Sequence, residues 1–436
     1  MDQERLEKTI SLIHDVKYGG LPTHFPSLLA WDKGLLPLKK QKNLWEASLA
    51  ENPKREIGIY LNVPFCKKKC GFCFLDVKGG ASSEEQAEYI HAVENEMAFF
   101  EPVFRNKEIK SVYIGGGTPN FLSANLLKEL LLNLKKHFLI KPGTQISMES
   151  NPDFFDEEKA EAVAESGITM LLMGIQSFSA RINGENGRAQ DVTRIKNAFS
   201  LVRSAGIKYI NADLLCGLKG QTEKDFLKDV IMLSMLRPTQ IHLNRIKPLS
   251  GTLPPEIKKE LSQWQQAGLE ILRRQGYSVL DEESACLDGI RNIQGNYFFH
   301  LENSLLGLGA GAMSHAWGKL RSRNIVAPLE YSKSANAGIG FSELSLEIGI
   351  NEELRHYLMN TLLHGENVSP EQIREKFGPE GESIYRELAI SMEKEGYLEA
   401  DRGGWICPLR MQDWLGVTSS IYGNNLLKHI AVRNGL

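Results

Sequence analysis

No apolar run in this 436-residue chain approaches the roughly 18 residues needed to span a membrane. The opening Met1-Asp2-Gln3-Glu4-Arg5 runs into an amphipathic stretch rather than the apolar core of a signal peptide. Charge of neither sign dominates. The net charge is −3, without the basic excess that points to nucleic acid and without an acidic tail. Low-complexity tracts are missing, as is any internal repeat beyond a strand–helix unit. These absences leave a soluble cytoplasmic protein with no membrane span and no nucleic-acid partner as the expectation. Cysteine is scarce, at six residues. Cys216, Cys286 and Cys407 lie far apart in apolar neighbourhoods and read as small buried hydrophobes in a reducing cytosol.

With 42% hydrophobic residues the chain can bury a large core. An α/β barrel often uses roughly 200–250 residues as one domain, so two main units are expected rather than three. Residues 1–55, interrupted by Gly19-Gly20, Pro22, Pro26 and Pro37, read as an N-terminal extension of short helices and loops. A rhythm then starts. Strand-like runs at Ile57–Val63, Ser111–Gly115, Gln145–Glu149, Met170–Ile175, Ile207–Leu214 and Gln240–Ile246 alternate with helix-like runs. The helical runs are Glu84–Phe104, Ala124–Phe138, Asp156–Ser166, Asp191–Ala205, Glu223–Leu236 and Ile257–Gln275. Leu126, Leu127, Leu130, Leu131 and Leu134 show the three- and four-residue spacing of a buried helix face. Six such units predict an α/β fold, a partial (β/α)6 barrel over 56–280 with ligands at the carboxyl ends of the strands. Residues 281–345, with Gly307-Leu308-Gly309-Ala310-Gly311, are expected to close the barrel. Residues 346–436 read as a small, mostly helical cap resembling a winged-helix module, with Pro370-Glu371 opening a helix and Arg402-Gly403-Gly404 turning a hairpin.

Chemistry-bearing motifs stand at the strand ends. The first strand runs into Cys66-Lys67-Lys68-Lys69-Cys70-Gly71-Phe72-Cys73. Three cysteines at a given spacing should occur by chance about 0.001 times in such a chain. Three thiolates can hold three irons of a cubane and leave the fourth open. Zinc would need a fourth ligand at finger spacing, and none follows. Lys67, Lys68 and Lys69 read as a solvated charge run, or as a partial offset to the charge of a cluster. The second strand ends in Gly115-Gly116-Gly117-Thr118-Pro119, where backbone can approach a ligand. The third ends in Glu149-Ser150-Asn151-Pro152, and Glu149 could pair with a ligand ammonium or simply sit at a helix start. The fourth ends in Gly174-Ile175-Gln176-Ser177-Phe178, with Arg188 beyond it, and the fifth carries Asn211-Ala212-Asp213-Leu214-Leu215. Any one of these devices alone is explained by packing; five in order point to a binding site.

From about Tyr60 to about Tyr331 these motifs resemble the oxygen-independent coproporphyrinogen oxidase-like branch of the radical S-adenosylmethionine (SAM) superfamily. The resemblance rests on Tyr-x-x-x-Pro-Phe-Cys, Gly-Gly-Gly-Thr-Pro, Glu-x-Asn-Pro, Gly-x-Gln-Ser-Phe and the run Asp213–Thr222. It implies a 4Fe–4S cluster on Cys66, Cys70 and Cys73, lined with SAM by Tyr60 and Phe72. It implies that Gly116, Gly117 and Thr118 contact the SAM amine, that Glu149 pairs with that amine and Arg188 with the carboxylate, and that Gln176 and Asp213 bind the nucleoside. It further implies a second SAM at Leu215, Gln294 and Met313, and a one-electron reductant such as flavodoxin or ferredoxin as partner. His300 and His315 are candidate acid–base groups beside that second SAM, or else polar residues of a loop.

Departures from the family pattern matter. Asn62 replaces the usual His, Lys219 the usual Pro, and Leu75 the fourth cysteine typical of the decarboxylases. The His-Asn-x-x-Tyr-Trp motif of the haem chaperones is absent from Gly295–His300. Both absences favour the subgroup similar to class C radical SAM methyltransferases, which act on an sp2 carbon of an aromatic, conjugated or tetrapyrrole small molecule. Oxidative decarboxylation of coproporphyrinogen and non-catalytic haem chaperoning are the alternatives.

Overall fold

The computed structural model describes residues 2–13, 25–248, 253–287, 302–362, 366–407 and 414–434. Six parallel strands form its centre: β1 (Ile57–Val63), β2 (Glu108–Gly116), β3 (Leu139–Ser150), β4 (Met170–Gln176), β5 (Tyr209–Cys216) and β6 (Gln240–Arg245). They are hydrogen-bonded side by side in that order. Each is followed by a helix, and the helix starts are specified locally. Ser82 and Thr222 form capping boxes with Glu85 and Asp225, while Ser123, Asp156 and Asp191 accept from backbone N–H groups of the first turn. The helix Ala124–His137 buries Leu127, Leu130, Leu131 and Leu134, the face that the leucine spacing anticipates. Strands and helices share one core whose members run from Leu36 to Phe341. This is the partial (β/α)6 barrel expected from the alternation.

The segment expected to close the barrel does something else. β7 (Ser304–Leu308) adds in parallel to the outer side of β1. β8 (Met313–Ala316), β9 (Leu320–Asn324) and β10 (Ser342–Glu347) then follow antiparallel, one beyond the other. On the opposite flank Ser284–Cys286 pairs with β6. Residues 281–345 therefore extend the sheet at both margins, and among the described residues the two margins are not joined. The reason is geometric. The first strand of an open barrel has an edge of unpaired N–H and C=O groups; β7 pairs there in parallel, short turns join β7 to β8 and β8 to β9, and helix Pro328–Asn336 lies between β9 and β10.

A second core gathers Ile10, Ile13, Phe25 and Leu29 with Leu354, Leu358, Ile373, Tyr385, Ile421 and Leu427. The N-terminal extension is thus divided. Helix Gln3–Ile13 packs with the C-terminal helix Asn424–Arg433, whereas Asp32–Lys33 joins the main sheet at β10. Helices Ile350–Leu362 and Pro370–Lys394, the latter kinked at Gly378, precede a hairpin at Glu399–Asp401 and Gly404–Ile406. Two further helices follow the hairpin, Trp414–Tyr422 and Asn424–Arg433. No helix among the described residues is long and apolar enough to cross a membrane.

Candidate cluster and cofactor site

Strand periodicity places the site. Along β1, Tyr60 and Asn62 are partly exposed between fully buried neighbours; along β4 the same holds for Gly174 and Gln176, and along β5 for Asp213 and Leu215. Alternate residues of a strand face one side, so these form the inner wall of the barrel near the carboxyl ends. Register joins the strands into rows: Tyr60 beside Tyr113, Gly115 next to the Glu149 carboxyl, and Gly174 beside Asp213 beside His242.

The cysteine loop is closed at its base, where Phe65–Cys66 pairs with Lys78–Gly79. It is pinned further out by Gly71 N–H donating to the Asn186 carbonyl at 2.9 Å. Cys66, Cys70 and Cys73 are free thiols, each partly exposed. Burial pushes the Cys66 and Cys73 thiols up, and the neighbouring cysteines add to it; the Thr118 hydroxyl, 3.4 Å from Cys66 Sγ, and Arg188 act the other way on Cys66. The three sulfurs are therefore electrostatic neighbours. Among the described residues no three His, Cys, Asp or Glu side chains converge as they would around a single ion. A cubane makes no such demand, because each cysteine binds a different iron. Three thiols without a fourth ligand fit that group and do not fit zinc.

The glycines of β2 give the loop its room. A Cβ on Gly117 would stand 2.5 Å from the Phe65 carbonyl and 3.0 Å from Cys66 Sγ, and one on Gly116 (φ +111°) would stand 2.1 Å from Asn62 Oδ1. Their close approach is thus to the protein's own first strand and cysteine loop. The N–H groups of Gly116, Gly117 and Thr118 donate to Glu149, Val63 and Phe65. An ammonium is itself a donor, so these residues could meet it only through carbonyl and hydroxyl oxygens.

Glu149 lies in the same wall. Its carboxylate accepts from the Tyr113 hydroxyl at 2.7 Å and from Gly116 N–H at 3.1 Å. Burial pushes its pKa up to about 7, assisted by Asp213 and opposed by those two donors. Asp213 is raised by burial as well, against the charge of His242. Two carboxylates held in one poorly solvated wall favour a cation between them.

Arg188 reaches back to the end of β4, donating through Nη2 to the Gly174 carbonyl and through Nε to Gln190. Its charge is felt at Cys66 and Asp153, which puts it beside the cysteine loop. Gln176 has φ +67°, and its buried Oε1 has no partner among the described residues. Such an atom is an acceptor awaiting a donor. Phe72 lines a cavity of ≈390 Å³ with Asn186, Gly217, Lys219, Ile246 and Leu253.

The second-site residues are not brought together as clearly. Leu215 is on β5 and Met313 on β8, with five strands between them in the sheet. Gln294 and His300 lie outside the described residues. His315 is placed elsewhere than the cleft: it is buried, with Nε2 2.7 Å from Glu353 Oε1, and Arg321 bonds the other carboxylate oxygen at 3.2 Å. It ties helix Ile350–Leu362 to the flank strands, and among the described residues its burial and its contact with Glu353 favour a structural reading over the catalytic one. Tyr113 and His242 went unnoticed in the sequence. The signal that identifies them is their registration beside Tyr60 and Asp213, which exists only once the strands are paired.

Residues 62–233 match the model of the radical SAM superfamily. The chain is 25% identical over 336 residues to the oxygen-independent coproporphyrinogen III oxidase of Salmonella typhimurium, covering 72% of each chain. It is 25% identical over 362 residues to the heme chaperone of Bacillus subtilis, covering 78% of this chain and 92% of that one. Among solved structures, coproporphyrinogen III oxidase from Escherichia coli, a radical SAM enzyme, superposes with a TM-score of 0.73 at 19% identity over 95% of this chain and 96% of that one. At that identity the likeness establishes the fold.

Proposed function

From the match of residues 62–233 to the radical SAM superfamily, we propose that the chain is a SAM-cleaving enzyme that abstracts hydrogen from a small conjugated or tetrapyrrole-type substrate held inside the barrel. When bound, the cluster supplies reductive cleavage of SAM and with it hydrogen abstraction. Cys66, Cys70 and Cys73 would hold the cluster and leave one iron to the SAM amine and carboxylate. The observation that carries the reading is Glu149. It is a buried carboxylate aligned by Tyr113 and Gly116, one strand from the glycine that packs on Cys66. Such a group orients an ammonium next to the cluster loop and fixes which end of SAM faces it. Arg188 would take the SAM carboxylate; Gln176 and Asp213 would meet the nucleoside; an external one-electron donor of the flavodoxin or ferredoxin class completes the cycle.

Two finer readings have support. Leu75 in place of a fourth cysteine, and the missing His-Asn motif, support methyl transfer to an sp2 carbon with a second SAM near Leu215, Gln294 and Met313. The name shared by the curated oxidase relatives supports oxidative decarboxylation. One experiment separates them. Protein reconstituted anaerobically with iron and sulfide is given SAM, dithionite and candidate porphyrinogens, and products are read by mass spectrometry. S-adenosylhomocysteine together with 5′-deoxyadenosine and a methylated product indicates methyl transfer; loss of carbon dioxide with 5′-deoxyadenosine alone indicates decarboxylation. Cys70→Ala should abolish both iron uptake and SAM cleavage, and a variant retaining about four irons per chain and full turnover would sink the proposal.

A further inference from the structure

Asn62 stands on the inner wall two residues after Tyr60, and its side chain has only one consistent orientation. Its Nδ2 donates to the Ala310 carbonyl at 2.5 Å. A carbonyl cannot donate, so the amide oxygen must face the other way. There it accepts from the Tyr60 hydroxyl at 3.1 Å. A phenol has a single proton, so on its remaining side Tyr60 can only accept. The Tyr60 ring stacks on Tyr113 at 6.1 Å between centroids, and the Tyr113 proton is likewise committed, to Glu149. Both phenol protons are therefore committed within the protein, which leaves Tyr60 and Tyr113 only as acceptors for any group that reaches them.

This arrangement depends on a stationary Ala310, and the surroundings provide it. Ala310 N–H donates to the Tyr89 hydroxyl at 2.9 Å, which donates to the Asn62 carbonyl at 2.7 Å. Gly309 N–H and Asn324 Nδ2 both donate to the fully buried Glu96, at 2.7 Å each, and Tyr331 donates to it at 2.5 Å. The turn is pressed so closely on β1 that a Cβ at Gly309 would lie 2.4 Å from the Tyr89 hydroxyl and 2.7 Å from the Asn62 carbonyl. A glycine-rich turn that looked in sequence like ordinary punctuation is thereby locked to the first strand. Its locked carbonyl sets the polarity of a side chain in the site.

We propose that Asn62 is a positioning residue: oriented by Ala310, it holds the Tyr60 hydroxyl as a donor into the protein and makes the wall beside Glu149 selective for a cationic, hydrogen-donating group. The inference rests on the reading that Glu149 receives the SAM ammonium. It predicts a split between two substitutions. Asn62→Asp, whose carboxyl is kept protonated by burial against the Ala310 carbonyl, keeps both the donor to Ala310 and the acceptor for Tyr60, whereas Asn62→Leu removes both and frees the phenol proton to point into the cleft.

The test is SAM binding to anaerobically reconstituted protein, by equilibrium dialysis and by the change SAM produces in the electron paramagnetic resonance spectrum of the reduced cluster. Asn62→Leu should weaken SAM about tenfold, as expected for one misdirected hydrogen bond, with iron content unchanged. Asn62→Asp should stay within about twofold of wild type on the same scale. In a Tyr60→Phe background the Asn62→Leu change should cost nothing further, because the two residues act as one unit. Should Asn62→Leu fail to take up iron, Asn62→Ala replaces it against Asn62→Asp. Wild-type affinity in the Leu or Ala variant, equal damage from Asp, or an undiminished loss in the Phe background would each overturn the proposal. Wild-type protein that takes up iron but binds no SAM would overturn the reading of the site itself; normal wild-type binding with indifferent Asn62 variants would overturn only this inference.

Discussion

Replacing Glu149 with Gln should change both how tightly SAM binds and how that binding responds to pH. The carboxyl is pushed up to about 7, with burial as the main cause. An ammonium is held by the ionised form only, so its affinity is fully present above that value and falls as pH drops through it. A group titrating near 7 is about nine-tenths ionised near pH 8 and about one-tenth ionised near pH 6, so the dissociation constant should rise about tenfold across that interval. For the protein without ligand the sign is opposite. The folded state holds this proton more tightly than the unfolded chain, so stability declines as pH rises from the ordinary carboxylate range towards 7. Glu149→Gln removes a charge-assisted hydrogen bond of roughly 1.5–3 kcal/mol, about 10- to 150-fold in affinity near pH 8. It should also flatten the pH profile. The measurement is SAM binding to reconstituted protein from about pH 6 to about pH 8, with iron content checked at each point. Asp213 and His242 face the same space. If the Gln variant keeps the wild-type slope, another group sets the pH dependence and the assignment to Glu149 is refuted.

Two further outcomes are expected. Gly117→Ala should impair iron uptake more than folding, because its Cβ meets the Phe65 carbonyl at 2.5 Å and Cys66 Sγ at 3.0 Å, the base of the cysteine loop; iron content against the thermal midpoint is the check, and a fully loaded variant would contradict it. Glu353→Ala should destabilise the protein by about 3–5 kcal/mol by stranding a buried arginine. Burial pushes the Glu353 carboxyl up, but His315 and Arg321 outweigh it and hold the pKa below the usual range, so the stabilisation is lost only as pH falls through that lowered value. Urea unfolding near neutral pH measures it, and an unchanged midpoint would show that the pair contributes nothing net.

Much of the barrel was legible because it is written in short-range pattern. Alternation of apolar residues, capping residues such as Ser82 with Glu85, and turn glycines act over a few positions, so all six strands and their helices lie within a few residues of where periodicity places them. The cysteine loop was equally legible, since three cysteines at fixed spacing on one loop need no partner from elsewhere in the chain. The strand-end motifs named Glu149, Gln176, Arg188 and Asp213 one at a time, each from its own neighbourhood.

What spacing along the chain could not convey is which residues become neighbours across strands. Tyr113 and His242 enter the wall through register, which depends on the relative slide of two strands and not on either strand alone. His315 read either as a candidate acid–base group or as a polar loop residue; only the docking of helix Ile350–Leu362 supplies Glu353 as its partner. The flank strands join the outer edge of β1 because an edge is open there, a property of the assembled sheet. Asn62 belongs to the same class. Its sequence position says that an amide replaces an imidazole, but the direction of that amide is decided by the Ala310 carbonyl, 248 residues further along the chain. Sequence by itself determined the elements and the spacing of the cysteine loop, because both are encoded locally; tertiary structure alone decided the polarity of the wall around them, because hydrogen-bond direction depends on which distant groups are brought face to face.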